Sequence, residues 1–323
     1  MEDGIAPADP KSKIQDPNLN PVLTLNDLAS WSFSGTSLAV LGHPIAHSLS
    51  PPMHNAALAW LARRDPRFRD WRYFRFDIPP DDLPRALALL HEKKFFGLNL
   101  TIPHKILAFD LVADTDPAAR PIGAVNTLIR TERGWHGHNT DGYGLAAAVH
   151  ETLGRKLAGA PVVLLGAGGA ARAAAVECLQ QHCASLWIGN RTRKNLDALL
   201  ALLKPFAREI PLHAFLVTLP LPKFPRGALF INATSLGLQP GDAPPISLHT
   251  LASPAEAHAY DMIYSPTATP FQAHASSLGL RSANGLSMLV HQGAKSLELW
   301  TGIPAAQTAP VMRAAAEAAL HGI

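Results

Sequence analysis

Short runs of apolar, β-branched and aromatic residues alternate along the chain with longer stretches of helical periodicity, the pattern of parallel α/β domains. In the first part, Thr36–Gly42 (TSLAVLG), Trp71–Ile78 (WRYFRFDI) and Phe95–Thr101 (FFGLNLT) read as strands. Helices are predicted from near Pro51, over Asp81–Glu92 and from Pro103, with proline tolerated in a first helical turn. Val125–Arg130 and Gly134–Asn139 alternate like the arms of a hairpin.

A helix over Tyr143–Leu153 leads into a second part. It opens with the strand Pro161–Gly166 (PVVLLG), a helix through Ala171–Gln181 and the strand Ala184–Asn190, which together make one βαβ unit. Further strands are predicted near His213–Val217, Ala228–Asn232 and Tyr260–Ile263, and two helices, Ser287–Thr301 and Pro304–His321, follow. A chain of 323 residues is long for one core and natural for two, so the expected architecture is two-domain α/β.

Composition narrows the function. A hydrophobic fraction of 47% and a charged fraction of 16% describe an ordinary globular protein, and a formal charge of +3 offers no case for nucleic acid. No apolar run reaches the ~18 residues of a membrane span, because Arg172 and Glu177 interrupt the best candidate. Cys178 and Cys183 form neither a disulfide framework nor a CxxC motif and read as small buried side chains in a reducing cytoplasm. Residues 1–35, polar and proline-rich at their start, lack the basic start and apolar core of a signal peptide; a disordered extension is expected.

The stretch VVLLGAGGAARAAA sets Gly166, Gly168 and Ala171 in the spacing G-x-G-x-x-A, directly after a strand and opening a helix. The first glycine makes the tight turn, the second lets backbone approach a pyrophosphate, and the small third residue lets helix pack on strand. Gly166, Ala167, Gly168, Gly169, Ala170 and Ala171 are therefore expected to cradle a dinucleotide. NAD enzymes usually carry an acid ~20 residues further on, to accept from the ribose 2′-OH. Here the second strand ends in NRTRK, Asn190–Lys194, with no acid and three cations, which suits the 2′-phosphate of NADP.

Polar clusters stand where other strands end. Ser48 and Ser50, in HPIAHSLSPPMHN, share a face if extended and suit a carboxylate, although either serine would also serve as a helix cap before Pro51. His43, His47 and His54 lie in the same stretch without an acidic ligand, and no metal is expected. GLNLTIPHK ends a strand with Asn99, Thr101 and Lys105, and HGHNTDGYG supplies Asn139, Thr140 and Asp141. Polar groups at strand C-termini point into the ligand crevice of an open α/β sheet, where a lysine and an aspartate are able to serve carbonyl reduction. Each of these residues alone would equally be a surface charge or a cap.

Nine segments in order, GHPIAHSLSPPMHN, GLNLTIPHK, IGAVNTL, GHNTDGYG, GAGGAARA, NRT, NATSLGL, YDMIYSPTATPF and GLSMLVHQGAKSLELWTG, resemble the shikimate dehydrogenase family from about Ser37 to Gly302. The resemblance implies an N-terminal α/β substrate domain (36–142) completed by C-terminal helices (286–323), and a Rossmann-type NADP-binding domain (143–285). It implies reversible, NADPH-dependent reduction of 3-dehydroshikimate to shikimate, a step toward chorismate and the aromatic amino acids, by a cytoplasmic monomer or homodimer.

On the matching positions, Ser48, Ser50 and Thr101 would hold the substrate carboxylate, with Asn99 on the substrate side. Lys105 matches the catalytic lysine, Asp141 its partner, and Asn126 the asparagine that binds a ring hydroxyl; Gln292 and Tyr264 would complete the pocket. Met262 and Gly285 would line the nicotinamide, Thr234 would fall on the cofactor side, and Asn190, Arg191, Thr192 and Lys194 would select NADP. The chain departs from the family in its polar N-terminus, in Asn195 where a second base is common, and in Leu238 where methionine is common. Two other readings are a quinate/shikimate dehydrogenase or related paralogue, disfavoured by the acid-free NRT, and a non-catalytic dinucleotide sensor, which would tend to lack the Lys105/Asp141 pair.

Overall fold

A computed structural model describes residues 21–218, 220–239, 241–249, 256–266 and 268–321. Its first sheet has seven strands: β1 (Val22–Leu23), β2 (Thr36–Gly42), β3 (Trp71–Asp77), β4 (Gly97–Leu100), β5 (Asp114–Thr115), β6 (Thr127–Thr131) and β7 (Gly134–His138), ordered β1-β3-β2-β4-β6-β7-β5. β1 to β4 run parallel, and β6 and β7 form the antiparallel hairpin, Thr131 facing Gly134 at its turn. β2 is buried at every position but its first, which is why it reads as an unbroken apolar run rather than an alternation.

The expected extension over residues 1–35 needs correction where it is described; residues 1–20 lie outside the described residues. Val22 and Leu23 pair with Arg75 and Phe76 of β3, and α1 (Leu25–Ala29) follows, opened by a capping box between Thr24 and Asp27. Leu23, Leu28 and Trp31 are buried, and the Trp31 ring meets Phe74 edge-on at 4.7 Å. Each such burial is worth about 1.5–3 kcal/mol, enough to hold a segment with little periodicity of its own.

Helices α2 (Ser50–Ala62) and α3 (Leu83–Glu92) flank this sheet, and both carry proline in their first turn. The helix predicted from Asp81 starts two residues later, after a 3₁₀ turn over Pro80–Asp82, and the one predicted from Pro103 is a single turn, α4 (His104–Leu107).

α5 (Asp141–Leu153) crosses to the second sheet. There β8 (Pro161–Leu165), β9 (Ser185–Asn190), β10 (Leu212–Leu216), β11 (Leu229–Asn232), β12 (His258–Asp261) and β13 (Arg281–Ala283) are all parallel, in the order β10-β9-β8-β11-β12-β13. Counted within this sheet the order is 3-2-1-4-5-6, the doubly wound dinucleotide-binding arrangement, whose direction switches between β8 and β11. α6 (Gly169–Gln180) and α7 (Arg193–Ala207) cover one face; α8 (Pro270–Ser277) packs against β12 and β13. Cys178 and Cys183 are buried free thiols, and no described helix is long and apolar enough to cross a membrane.

The last two helices, α9 (Leu286–Thr301) and α10 (Ala305–His321), return to the first sheet. Val290, Ala294, Leu297, Trp300 and Met312 share one core with Leu38, Val40 and Met53. The Trp300 indole donates to the Leu128 carbonyl at 3.1 Å and covers Gly97, where a Cβ would come within 2.2 Å of the ring nitrogen. β4 thus needs glycine at that point for α9 to dock.

Candidate active site

β4 ends at Leu100, and the chain turns through Thr101 into α4, which carries Lys105. β7 ends at His138, and Asn139 and Thr140 lead into the first turn of α5, where Asp141 sits against the positive helix end. Asn139 Oδ1 accepts from the Asp141 amide at 3.0 Å and fixes that turn. The Lys105 carbonyl accepts from the Val125 amide at 2.8 Å, so the lysine is anchored beside the segment that carries Asn126 into β6.

Lys105 Nζ donates to Asp141 Oδ2 at 2.6 Å; the lysine side chain is 17% exposed and the aspartate 4%. Asp141 Oδ1 accepts from Asn126 Nδ2 at 2.8 Å, so both carboxylate oxygens have partners. Asn126 Nδ2 also approaches Thr140 Oγ1 at 3.0 Å and Gln292 Oε1 at 3.4 Å, and its Oδ1 accepts from the Thr140 amide at 2.9 Å. Gln292 reaches the cluster from α9 and donates to the Leu289 carbonyl at 2.9 Å.

Behind these groups lies a buried polar layer. Asn99 Nδ2 faces Ser296 Oγ at 3.0 Å, Thr127 Oγ1 at 3.1 Å and the Asn126 carbonyl at 3.1 Å, while its Oδ1 accepts from the Tyr73 hydroxyl at 2.8 Å. Asn99 therefore has protein partners at both polar atoms and braces Asn126 from behind. Burial pushes the Tyr73 phenol well above its usual range, and a hydrogen bond with the Ser50 hydroxyl pulls the other way. Such an interior network is stabilising only when fully satisfied, and here it links Ser50 to Asn126 through Tyr73 and Asn99.

Among the residues expected to hold a carboxylate, Ser48 Oγ accepts from the Ser50 amide at 3.3 Å just before α2, whose N-cap is Leu49, and Ser48 remains half-buried. The Ser50 side chain is buried and turned toward Tyr73. Thr101 lies at the C-terminal end of β4, and its methyl is 2.4 Å from where a Cβ on Gly42 would stand. Tyr264 is tied to the backbone of Leu49, between the two serines, and burial raises its phenol. The three histidines of this stretch go separate ways. His43 pairs with Asp77 at 2.5 Å, His47 is exposed, and His54 is buried and stacked on Tyr73 with ring centroids 4.1 Å apart.

The cofactor candidates gather on the C-terminal edge of the second sheet. Gly166 follows β8, Asn190 ends β9, Thr234 follows β11, Met262 follows β12 and Gly285 follows β13. Parallel pairing alone brings these distant residues together at the switch point. Gly166 has φ +115°, and a Cβ there would lie 2.8 Å from the Ala233 carbonyl oxygen, so the turn requires glycine. Gly168 is different: its φ is −83° and a Cβ would meet nothing within 4 Å. The chain itself makes no demand for glycine there, and the open space before the α6 N-terminus fits an approaching pyrophosphate.

Ala171 is fully buried where α6 packs on the sheet. Asn232 holds the Thr234 loop by accepting from its amide at 3.0 Å and its hydroxyl at 2.8 Å. Gly285 lets the start of α9 pass the Met262 carbonyl, which a Cβ would approach to 2.1 Å. In NRTRK, Asn190 Nδ2 donates to the Thr192 carbonyl at 3.0 Å, shaping the turn, and Arg193 is taken by Asp197 at 2.9 Å. Arg191 and Lys194 make no ion pair with a described residue and are exposed, so two cations without an acid stand where a 2′-phosphate would be read.

Sequence reasoning missed the supporting layer. Tyr73, Thr127 and Ser296 were not singled out, although each is a polar side chain inside an apolar run, and Ser296 falls one helical turn after Gln292.

Comparison with known proteins agrees with this geometry. Residues 40–128 match the model of the shikimate dehydrogenase substrate binding domain, and residues 285–317 that of the shikimate 5′-dehydrogenase C-terminal domain. Shikimate dehydrogenase (NADP(+)) of Thermosynechococcus vestitus is 39% identical over 287 residues, 88% of this chain and 95% of that protein. The crystal structure of shikimate 5-dehydrogenase from Thermus thermophilus with NADP(H) and shikimate superimposes with a TM-score of 0.72 at 37% identity, covering 88% of this chain and all of that one (100%). The ligand-free 5-ketofructose reductase of a Gluconobacter strain superimposes with a TM-score of 0.74 at 32% identity, covering 89% and 99% of the two chains.

Proposed function

The chain belongs to the shikimate dehydrogenase family, and from that premise we propose a division of labour among its own side chains for the family's reaction. The enzyme is an NADP-dependent oxidoreductase that interconverts 3-dehydroshikimate and shikimate, a step in the pathway to chorismate and the aromatic amino acids. When bound, NADPH supplies the hydride that reduces the ring ketone.

Lys105 delivers the proton to the ketone oxygen as the hydride arrives, and in the reverse direction takes it from the hydroxyl. The observation that carries this role is the 2.6 Å contact between Lys105 Nζ and a buried Asp141 whose other oxygen is held by Asn126. A lysine gripped in this way has one direction in which to present its remaining protons. Asp141 orients the ammonium and, with Asn126 and Gln292, holds ring hydroxyls. Ser48, Ser50 and Thr101 take the carboxylate, and Tyr264 closes over them from the cofactor side. Asn99 acts as a positioning residue through Asn126.

Gly166–Ala171 cradle the pyrophosphate, Asn190, Arg191, Thr192 and Lys194 read the 2′-phosphate, and Thr234, Met262 and Gly285 flank the nicotinamide. Residues 36–142 with 286–323 then serve as the substrate domain and 143–285 as the cofactor domain. All of these side chains come from one chain, so the reading holds for a monomer and for a homodimer. Two free buried thiols suit a cytoplasmic setting.

A spectrophotometric assay of purified protein tests the reading, with shikimate against quinate and NADP against NAD. Oxidation of shikimate with NADP should be fastest; faster oxidation of quinate with NAD would overturn the substrate and cofactor assignment.

A further inference from the structure

β5 pairs in parallel with β7, setting Asp114 opposite His136, and the Asp116 amide donates to the Gly137 carbonyl at 2.8 Å. Side chains two apart on a strand share a face, so His136 and His138 point to one side while Trp135 is buried on the other. The two imidazoles meet edge to face with centroids 4.7 Å apart. His138 Nδ1 stands 3.6 Å from Asp116 Oδ2, and His136 Nδ1 3.7 Å from Asp114 Oδ2. Ligand atoms of Asp116, His136 and His138 all lie within 4.8 Å of one another, and all three residues are half-buried.

These spacings are too long for hydrogen bonds, which close by about 3.2 Å. The 3.6 Å between His138 and Asp116 is close to what one small cation would impose: bonds of about 2.0–2.2 Å in tetrahedral array put neighbouring donor atoms about 3.4 Å apart. The other carboxylate oxygens are already committed. Asp116 Oδ1 accepts from the Ala118 amide at 2.9 Å, and Asp114 Oδ1 from the Thr115 amide at 2.8 Å and Arg120 at 3.3 Å. One oxygen of each acid is thereby turned toward the histidines.

We propose that Asp116, His136 and His138 form a binding site for one divalent transition-metal ion of the zinc class. Two imidazoles with a carboxylate oxygen suit zinc and its first-row neighbours rather than magnesium or calcium. The site is separate from the catalytic groups and stands against the sequence expectation of no metal. Its occupant would join β5 to β7, whose end runs through Asn139 into Asp141.

The test uses the full chain without a histidine tag, stripped with a chelator and then equilibrated with zinc chloride alone. Bound zinc is measured by elemental analysis after gel filtration, and thermal unfolding is recorded with and without zinc. One zinc per chain, with a rise in Tm, is expected for the wild type. Asp116→Asn and His136→Gln, made separately so that either alone can report, should each weaken binding by at least the roughly 10–100-fold typical of even outer-shell changes. His213→Gln, on the distant β10, should bind as the wild type does. A wild-type chain that retains no zinc, variants that retain it fully, or equal loss in His213→Gln would each overturn the site.

Discussion

Gly169 lies directly against Lys105: a Cβ on the glycine would stand 3.3 Å from the lysine Cβ and 3.8 Å from its Cδ. The first residue of the helix that faces the pyrophosphate thus touches the side chain assigned to the substrate oxygen. The turn that follows β8 and the one that follows β4 therefore abut at this point.

Lys105→Ala removes the proton donor and leaves the carboxylate and hydroxyl contacts in place. Turnover should fall by about 10²–10⁴-fold while the shikimate KM changes far less. Steady-state kinetics in the shikimate-oxidising direction decide this, and a nearly unchanged kcat would remove the lysine from the chemistry.

The two motif glycines should separate cleanly. Gly166→Ala forces a Cβ toward the Ala233 carbonyl at a φ of +115°, so it should lower stability by more than about 1 kcal/mol. Gly168→Ala meets no atom of the chain and should leave the Tm intact while weakening NADPH binding. Thermal melts paired with fluorescence titration of NADPH check both, and a Gly168→Ala enzyme with wild-type affinity would contradict the cradle.

Arg191→Gln should weaken NADPH binding by about one to two orders of magnitude, the scale of a charge-assisted bidentate contact, and narrow the preference over NADH. Arg193→Gln, whose guanidinium is already held by Asp197, should do neither. The ratio of kcat/KM for NADP to that for NAD is the measurement, and equal effects of the two variants would count against Arg191 as the reader of the phosphate.

Tyr73→Phe keeps the stack on His54 but removes the hydroxyl between Ser50 and Asn99. Leaving a buried Asn99 oxygen without its donor should cost about 1–3 kcal/mol in urea unfolding. Because Asn99 braces Asn126, the shikimate KM should also rise while NADPH affinity stays constant; a purely structural role would leave that KM unmoved.

Burial holds His54 down at about 4, against about 6.5 in the unfolded chain. The unfolded chain therefore takes up a proton that the folded one refuses. Stability is full above the unfolded value and falls as pH drops toward 4, by at most about 1.4 kcal/mol per pH unit and on the order of 3 kcal/mol across the window. Burial also lowers His104 and His138, which adds loss of the same sign. Urea midpoints at about pH 7.5 and about pH 4.5 should converge partly in His54→Gln, and an unaltered difference would refute the assignment.

Much of the molecule was legible because its signals are local. β2 announces itself as a continuous apolar run, the β6–β7 hairpin as alternation, and the cofactor turn as a backbone that only glycine can follow at Gly166. β1 and α1 escaped because a two-residue edge strand and a five-residue helix carry no usable period, and they are held by contacts of Leu23, Leu28 and Trp31 across the sheet. The pairing of Lys105 with Asp141 rested on resemblance alone until the geometry brought the two side chains to 2.6 Å.

From the sequence alone came the α/β class, the dinucleotide turn, the acid-free selector after β9 and the residue types of the site. Those depend on backbone conformation and side-chain chemistry within a few positions. Tertiary structure decided the rest: that Asn99 braces Asn126, that Ser50 turns toward Tyr73, that Ser296 returns from α9 to the same layer, and that Asp116 meets His136 and His138. The reason is physical. A buried polar atom takes its meaning from the partner that satisfies it, and parallel crossovers set those partners tens or hundreds of residues away, where no local pattern records them.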